Sequence, residues 1–244
     1  MPSTEGHKSF PITFPRDQPI WRYLTFSKFI DMLQRESLWF SRADSFEDVF
    51  EGRLPKMNAE AMKDHPAGDA TLAFEMLRRF QYLNCWHVSD HESVAMWKMY
   101  AVSHEAVAIR STYERLHTSM PEECYIGEVA YIDYREQYVD VSNSYNVIMT
   151  KRRSFAHERE LRAIITEEIP STETDDDGFP SISLSAQNPH RGRHVKVELT
   201  SLIEQIVVAP TSPNWFLSLV QGAAIDSGFD ASDVVRSDLD QLPY

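Results

Sequence analysis

Between Lys151 and Arg162 the chain reads KRRSFAHERELR and then runs without a break into the apolar AIIT. Charge packed this densely can enter a core only if it is neutralised internally or binds something, so this stretch constrains the fold more than any other. The hydrophobic period changes along it. Tyr145, Ile148, Met149 and Phe155 are loosely spaced for a helix, whereas Glu158 to Thr166 alternates as a strand does. On a strand, residues two apart share a face, which puts Glu158, Glu160, Arg162 and Ile164 on one side and Arg159, Leu161, Ala163 and Ile165 on the other. Two carboxylates and a guanidinium at the head of a central strand make a candidate site.

A chain of 244 residues is long enough for one large domain with a full core. The expected organisation is an extended N-terminal arm over residues 1–18, which hold several prolines, followed by a single domain over 19–244. The net charge of −13 sets the surface against phosphate backbones, which argues against duplex binding by a broad basic face. Lys151, Arg152 and Arg153 leave room for a local basic pocket. Two cysteines, Cys85 and Cys124, supply neither a disulfide framework nor a four-cysteine zinc site. The N-terminus lacks a basic-then-apolar leader and no apolar run reaches membrane-spanning length, so a cytoplasmic protein without a membrane partner is expected.

Strands are expected at Ile20–Thr25, Ser37–Ser41, Gln81–His87, Ala106–Ser111, Tyr125–Tyr134, Val195–Leu199 and Gln205–Ala209, with DVVRS as a last short one. Helices are expected from Phe26 to Leu33 with Ser27 as cap, in two pieces from Asn58 to Phe80 around HPAGD, from Val94 to Tyr100 behind a Ser89/Glu92 capping box, from Thr112 to Ser119, and over NWFLSLVQGAAIDSG. RADSFEDVFEGR lacks a period and reads as a loop that packs over something. The long segment around Asp175–Asp177 reads as a flap. Many short strands without a βαβ repeat define an α+β fold: a single domain with a central, mostly antiparallel split sheet flanked by helices.

Several motifs together resemble the bacterial DUF2971 family: WRYLTFSKFIDML, LWFSRADSFEDVFEG, NCWH with ESVAMWKMYA, AVAIRST, GEVAYIDY and KRRSFAHERELRAI. That family carries no assigned activity. The chain also resembles the ADP-ribosyltransferase superfamily, in which an early-strand Arg or His, a Ser or Tyr, and a late-strand Glu build the site. The matching positions are Arg22, then Ser41 or Tyr100, then Glu158 or Glu160. The resemblance implies an ADP-ribosyltransferase-like fold and an enzyme that cleaves NAD and passes ADP-ribose to a protein or nucleic-acid acceptor. It also implies a toxin or phage-defence setting with a neutralising partner protein. Glu160, Glu158 and Arg22 would be catalytic, with Tyr23, Ser41, Trp97, Tyr100 and Lys151 around NAD, and no metal.

Each assignment has a plainer counterpart. Glu158 and Glu160 suit an internally paired cluster with Lys151, Arg152, Arg159 and Arg162, and Arg22 suits an ion pair with Asp48 or Glu51. Ser93, Trp97 and Tyr100 at i, i+4 and i+7 suit a core-facing stripe. A metal-dependent nuclease would join Asp44, Glu47, Asp48 and Glu51 to Glu158, Glu160 and Lys151. A non-catalytic module would hold a nucleotide or peptide near Trp86, Trp97 and Tyr100. His87 and His91 suit loop or capping roles, Cys85 lacks a nucleophile's partners, and no Gly-rich phosphate loop is present.

Overall fold

The computed structural model describes residues 7–63, 70–100, 105–174, 180–182 and 184–241. In chain order the elements are β1 (Pro19–Thr25), α1 (Phe26–Arg35), β2 (Ser37–Arg42), α2 (Lys56–Ala61), α3 (Ala70–Leu77), β3 (Gln81–Val88), α4 (Val94–Tyr100), β4 (Ala106–Thr112) and α5 (Tyr113–Ser119). There follow β5 (Tyr125–Glu128), β6 (Ala130–Ile132), α6 (Tyr145–Ile148), β7 (Thr150–Arg152), β8 (Glu160–Thr166), β9 (Ser171–Thr174) and β10 (Pro180–Ile182). The last are β11 (Gly192–Lys196), α7 (Leu199–Leu202), β12 (Gln205–Val208), α8 (Asn214–Ile225) and β13 (Val234–Arg236).

One sheet dominates. Its strands run β11-β2-β3-β1-β4-β12-β13, with β8 on the other edge of β3 and β5 on β8; every pairing is antiparallel except β12 with β13. This is the α+β, mostly antiparallel architecture that the short alternating strands imply. The split lies at β3. Its first half pairs with β2 through Tyr82 and Leu83, and its last residues pair with β1 through His87 and Val88. Helix α1 joins the two diverging strands, so the edge of β3 around Cys85 faces a gap rather than a ladder.

The faces of the sheet differ. On one, Ile20, Leu24, Phe40, Tyr82, Trp86, Leu161, Ala163 and Ile165 pack with Phe29 of α1 and Phe216 of α8 in a large apolar core. On the other are two smaller clusters: Trp21, Tyr23, Met96 and Trp97 under α4, and Phe10, Leu83, Ile148 and Ile164 beside β8. The charged stretch enters this second face.

Several local expectations change. Glu158 closes a 3-10 turn, Arg153–Glu158, and the strand begins only at Glu160. The helix anticipated up to Phe155 is the single turn α6 followed by β7, because Lys151 is drawn inward by carboxylates. Tyr125–Tyr134 breaks at Val129 into β5 and β6, which belong to different sheets. Thr25, not Ser27, caps α1. Ser93 Oγ accepts from Met96 N, while Glu92 binds Trp97, Ser237 and the Asp238 amide, so the Ser89/Glu92 capping box does not form. HPAGD and the Asp175–Asp177 run lie outside the described residues; around the latter, β9 and β10 pair as a small separate sheet. Among the described residues no helix is long and apolar enough to cross a membrane.

Residues 7–18 do not float. Phe10 is buried and stacks on Tyr125 at 5.0 Å, and its backbone crosses Gly127 of β5. A Cβ at Gly127 would lie 2.6 Å from Phe10 Cα and 3.0 Å from its carbonyl carbon, closer than backbone atoms tolerate. Gly127→Ala should therefore cost about 1–3 kcal/mol of unfolding free energy by denaturant titration, and an unchanged midpoint would contradict this packing.

Candidate active site at the split of the sheet

Arg162 is fully buried and organises the cluster. From β8 its Nε donates to Glu160 Oε1 at 2.6 Å and its Nη2 to Glu160 Oε2 at 3.1 Å, a fork matched to a carboxylate. Nη2 also donates to Glu51 and Nη1 to the Ile148 carbonyl at the end of α6. Lys151, reaching in from β7, donates to Glu158 at 2.5 Å and Glu160 at 3.1 Å, and its Nζ lies 3.8 Å from Glu51. Three carboxylates, Glu51, Glu158 and Glu160, thus face two cations, Lys151 and Arg162, and the ionised cluster carries one excess negative charge. Beside it Arg152 pairs with Asp48 at 2.8 Å and lies over Phe50 and Phe155.

Glu158 and Glu160 meet on Lys151 although only one of them is on the strand. Arg159 between them is left-handed, with φ 40°, and this turn brings both carboxylates to the same ammonium. A non-glycine residue there costs on the order of 1 kcal/mol, which the buried pairs around it must outweigh. His87 Nδ1 donates to the Glu158 carbonyl at 2.6 Å, and the Tyr131 hydroxyl accepts from the Glu160 amide at 2.8 Å.

The electrostatics follow from burial. Desolvation pushes the Glu160 carboxyl up, against the pull of Lys151. Burial also opposes the charge of Lys151, but Glu160 and Glu158 outweigh it and raise the ammonium above its ordinary value. Cys85, whose thiol hydrogen-bonds Glu160, is held well above a normal thiol by burial and by that carboxylate, as a protonated group and not a nucleophile. Burial and the glutamates likewise raise the phenols of Tyr100 and Tyr131.

Arg22 fills the gap where β1 and β2 diverge. Its Nη1 donates to the Cys85 carbonyl at 3.0 Å and its Nη2 to the Trp39 carbonyl at 3.3 Å. No carboxylate among the described residues pairs with it: Asp48 goes to Arg152 and Glu51 to Arg162, so the anticipated ion pair is absent. Burial pushes its guanidinium down, as for a cation lacking an anion. Cys85 links the two halves, with its carbonyl on Arg22 and its thiol on Glu160. Tyr100, 43% exposed at the end of α4, senses Glu158, Cys85 and Glu160 and in turn acts on Arg22.

The structure therefore brings Arg22, Tyr100, Lys151, Glu158 and Glu160 together around Cys85 at the split of the sheet. Tyr23 and Trp97 lie in the cluster under α4, edge-to-face at 4.9 Å, with the Tyr23 hydroxyl accepting from Ser93 N and the Trp97 indole donating to Glu92. Ser41 sits on β2 opposite Leu83, on the same face of the sheet as Cys85. Trp86 is core on the opposite face, bonded to Asn84, so no Trp86–Trp97–Tyr100 platform exists. His87 is on a strand and cannot share a helical face with His91. Glu51 does join Glu158, Glu160 and Lys151, as a nuclease would need, but its Oε1 is turned onto Arg162 and Lys151. Among the described residues no group of three or more His, Cys, Asp or Glu is arranged to hold a metal ion. Cys85, Tyr131, His87 and Trp39 were not singled out for the site by sequence, since only the folded sheet brings them to it.

No protein-family model matches the chain, and no curated protein does. Among solved structures, Thermus sp. 2.9 DarT in complex with carba-NAD+ aligns with 93% of this chain and 98% of its own, at a TM-score of 0.39 and 9% sequence identity.

Removing Arg162 strands two buried carboxylates, so Arg162→Met should lose about 3–5 kcal/mol of unfolding free energy. Adding Glu51→Gln to that variant should recover part of it, and a loss under about 1 kcal/mol would show that the fork is not buried as described. The raised carboxyl of Glu160 predicts a pH effect as well. Because the folded state holds this proton above the ordinary value of 4.5, its contribution to stability is complete below that pH and is lost as pH rises through the folded value. The unfolding free energy of the wild type relative to Glu160→Gln should accordingly fall as pH rises above 4.5; a difference that is flat or rises would contradict the shift.

Proposed function

We propose that this site cleaves NAD and transfers its ADP-ribose, as an ADP-ribosyltransferase-like enzyme. The observation that carries this is the buried carboxylate cluster with one negative charge in excess, placed beside an unpaired guanidinium at the split of the sheet. Cleavage of the bond between ribose C1′ and the nicotinamide nitrogen sends the electron pair to the ring, which departs neutral and needs no acid. The sugar becomes oxocarbenium-like, and what lowers the barrier is a fixed negative charge near it.

Glu160 fits that task. Arg162 holds it in one orientation, so little reorganisation is needed as positive charge develops. Glu158 is placed to take the proton of the attacking acceptor group as its heteroatom bonds to C1′. Lys151 fixes the two carboxylates relative to one another. Arg22 offers its guanidinium to the pyrophosphate, and Tyr100 at the mouth offers a ring to the nicotinamide. Ser41 lies on the same face for a ribose hydroxyl, and Tyr23 and Trp97 brace α4 behind Tyr100. The acceptor is proposed as a group on a protein or nucleic acid, and the setting as a bacterial toxin or defence effector in the cytoplasm, held in check by a neutralising partner.

The test is incubation with labelled NAD and cell lysate, reading nicotinamide release and label transfer. Wild type should release nicotinamide, and Glu160→Gln should lower the rate by about 100-fold or more, the scale of losing a principal electrostatic contact. Equal rates in the two proteins, or no release by the wild type, would refute the proposal.

A further inference from the structure

Trp39 is 39% exposed, which is unusual for an indole on a strand next to the centre of a sheet. Its neighbours on β2, Leu38 and Phe40, enter the large core, while Trp39 and Ser41 point to the opposite face; Ser41 pairs with Leu83, so this is the face of Cys85 and Glu160. The indole rests on the backbone of β11. A Cβ at Gly192 would lie 2.2 Å from its Cζ2 and 2.6 Å from its Cε2, so only glycine lets the ring lie there. His194, directly opposite Trp39, packs edge-on at 4.8 Å and is itself tied by its Nδ1 to Ser37 Oγ at 3.0 Å. The ring is held by Gly192 and His194, and the residue still keeps 39% of its surface exposed.

The carbonyl of this same residue accepts from Arg22 and from Asn84 Nδ2. A partly exposed indole and a guanidinium without an anion therefore share one peptide group. An anion alone would satisfy Arg22, and a flat apolar group alone would satisfy Trp39. A nucleotide with a diphosphate carries both.

We infer that Trp39 is the stacking platform for the purine base of a nucleoside diphosphate whose phosphates lie on Arg22. This rests on the split of the sheet being a nucleotide site and adds the direction of the bound dinucleotide. The adenine end lies toward the β2–β11 edge, and the nicotinamide end lies toward Tyr100 and Glu160. Gly192 acts through Trp39, as the position that lets the indole lie flat.

Calorimetric titration of the full chain with ADP-ribose and, separately, with inorganic pyrophosphate tests this. Trp39→Ala should weaken ADP-ribose roughly ten-fold or more while leaving pyrophosphate within about twofold, and Trp39→Phe, which keeps a ring, should lose far less. Arg22→Gln should weaken both ligands. Wild-type affinity for ADP-ribose in Trp39→Ala would overturn the inference. So would an equal loss of pyrophosphate in that variant, which marks general disruption, or failure of the wild type to bind ADP-ribose at all. ADP-ribose binding that depends on Trp39, in a protein that leaves NAD intact, would support the subsite and overturn the transferase.

Discussion

A guanidinium with no solvent contact, Arg162, is the interaction on which the rest of the structure depends. It enters the sheet on β8, opposite Cys85 of β3, where an unpaired charge would be prohibitive. Its five donors explain the surrounding chain. Glu160 two residues back on the same strand takes the fork, Glu51 is drawn in from an otherwise irregular loop, and the end of α6 supplies a carbonyl. Lys151 then neutralises one of the two negative charges that Arg162 leaves in excess. Such a network contributes little to net stability relative to an apolar core of the same shape, but taking out one member is costly. It holds charged groups in fixed positions inside a protein, which an apolar core cannot do.

The sheet gives this network somewhere to act. Helix α1 carries β1 and β2 apart along one edge of β3, and Arg22 spans the opening by bonding carbonyls on both sides. The two apolar clusters on the face of Cys85 and Glu160 flank the opening, so the charged groups between them are enclosed by hydrocarbon and stay responsive to charge. Tyr100 reaches the cluster from α4, whose position is set by the Trp97–Tyr23 contact and by Glu92, which accepts from Trp97, Ser237 and the Asp238 amide. The C-terminal segment thereby shares in positioning α4.

Much of the fold was legible because it rests on local periodicity. The strands over WRYLT, QYLNCWH, AVAIRS and QIVVA and the helix over NWFLSLVQGAAI follow from alternation or from a period near 3.6, and the shared face of Glu160, Arg162 and Ile164 follows from a period of two. Other features depend on distant residues. In the sequence Glu158 continues the alternation, but a left-handed Arg159 places it on a turn, and nothing local in HERE marks a positive φ. Glu51 was recognisable as one of four acids in a loop, but not as the partner of a residue 111 positions away. Nothing local in SLWFS distinguishes Trp39; the position of its ring depends on Gly192, brought beside it by β11. Glu92 matched a capping box by spacing, yet its carboxylate forms stronger bonds with groups outside the helix.

The central claim is that a dinucleotide spans the split with its reactive sugar at the carboxylate cluster. A crystal structure of the full chain soaked with a non-cleavable NAD analogue tests this most directly. The account predicts the nicotinamide-side ribose in contact with Glu160, the pyrophosphate on the Arg22 guanidinium, and the Arg162 fork unchanged. A ligand bound elsewhere, or one that displaces Glu160 from Arg162 in order to bind, would contradict it.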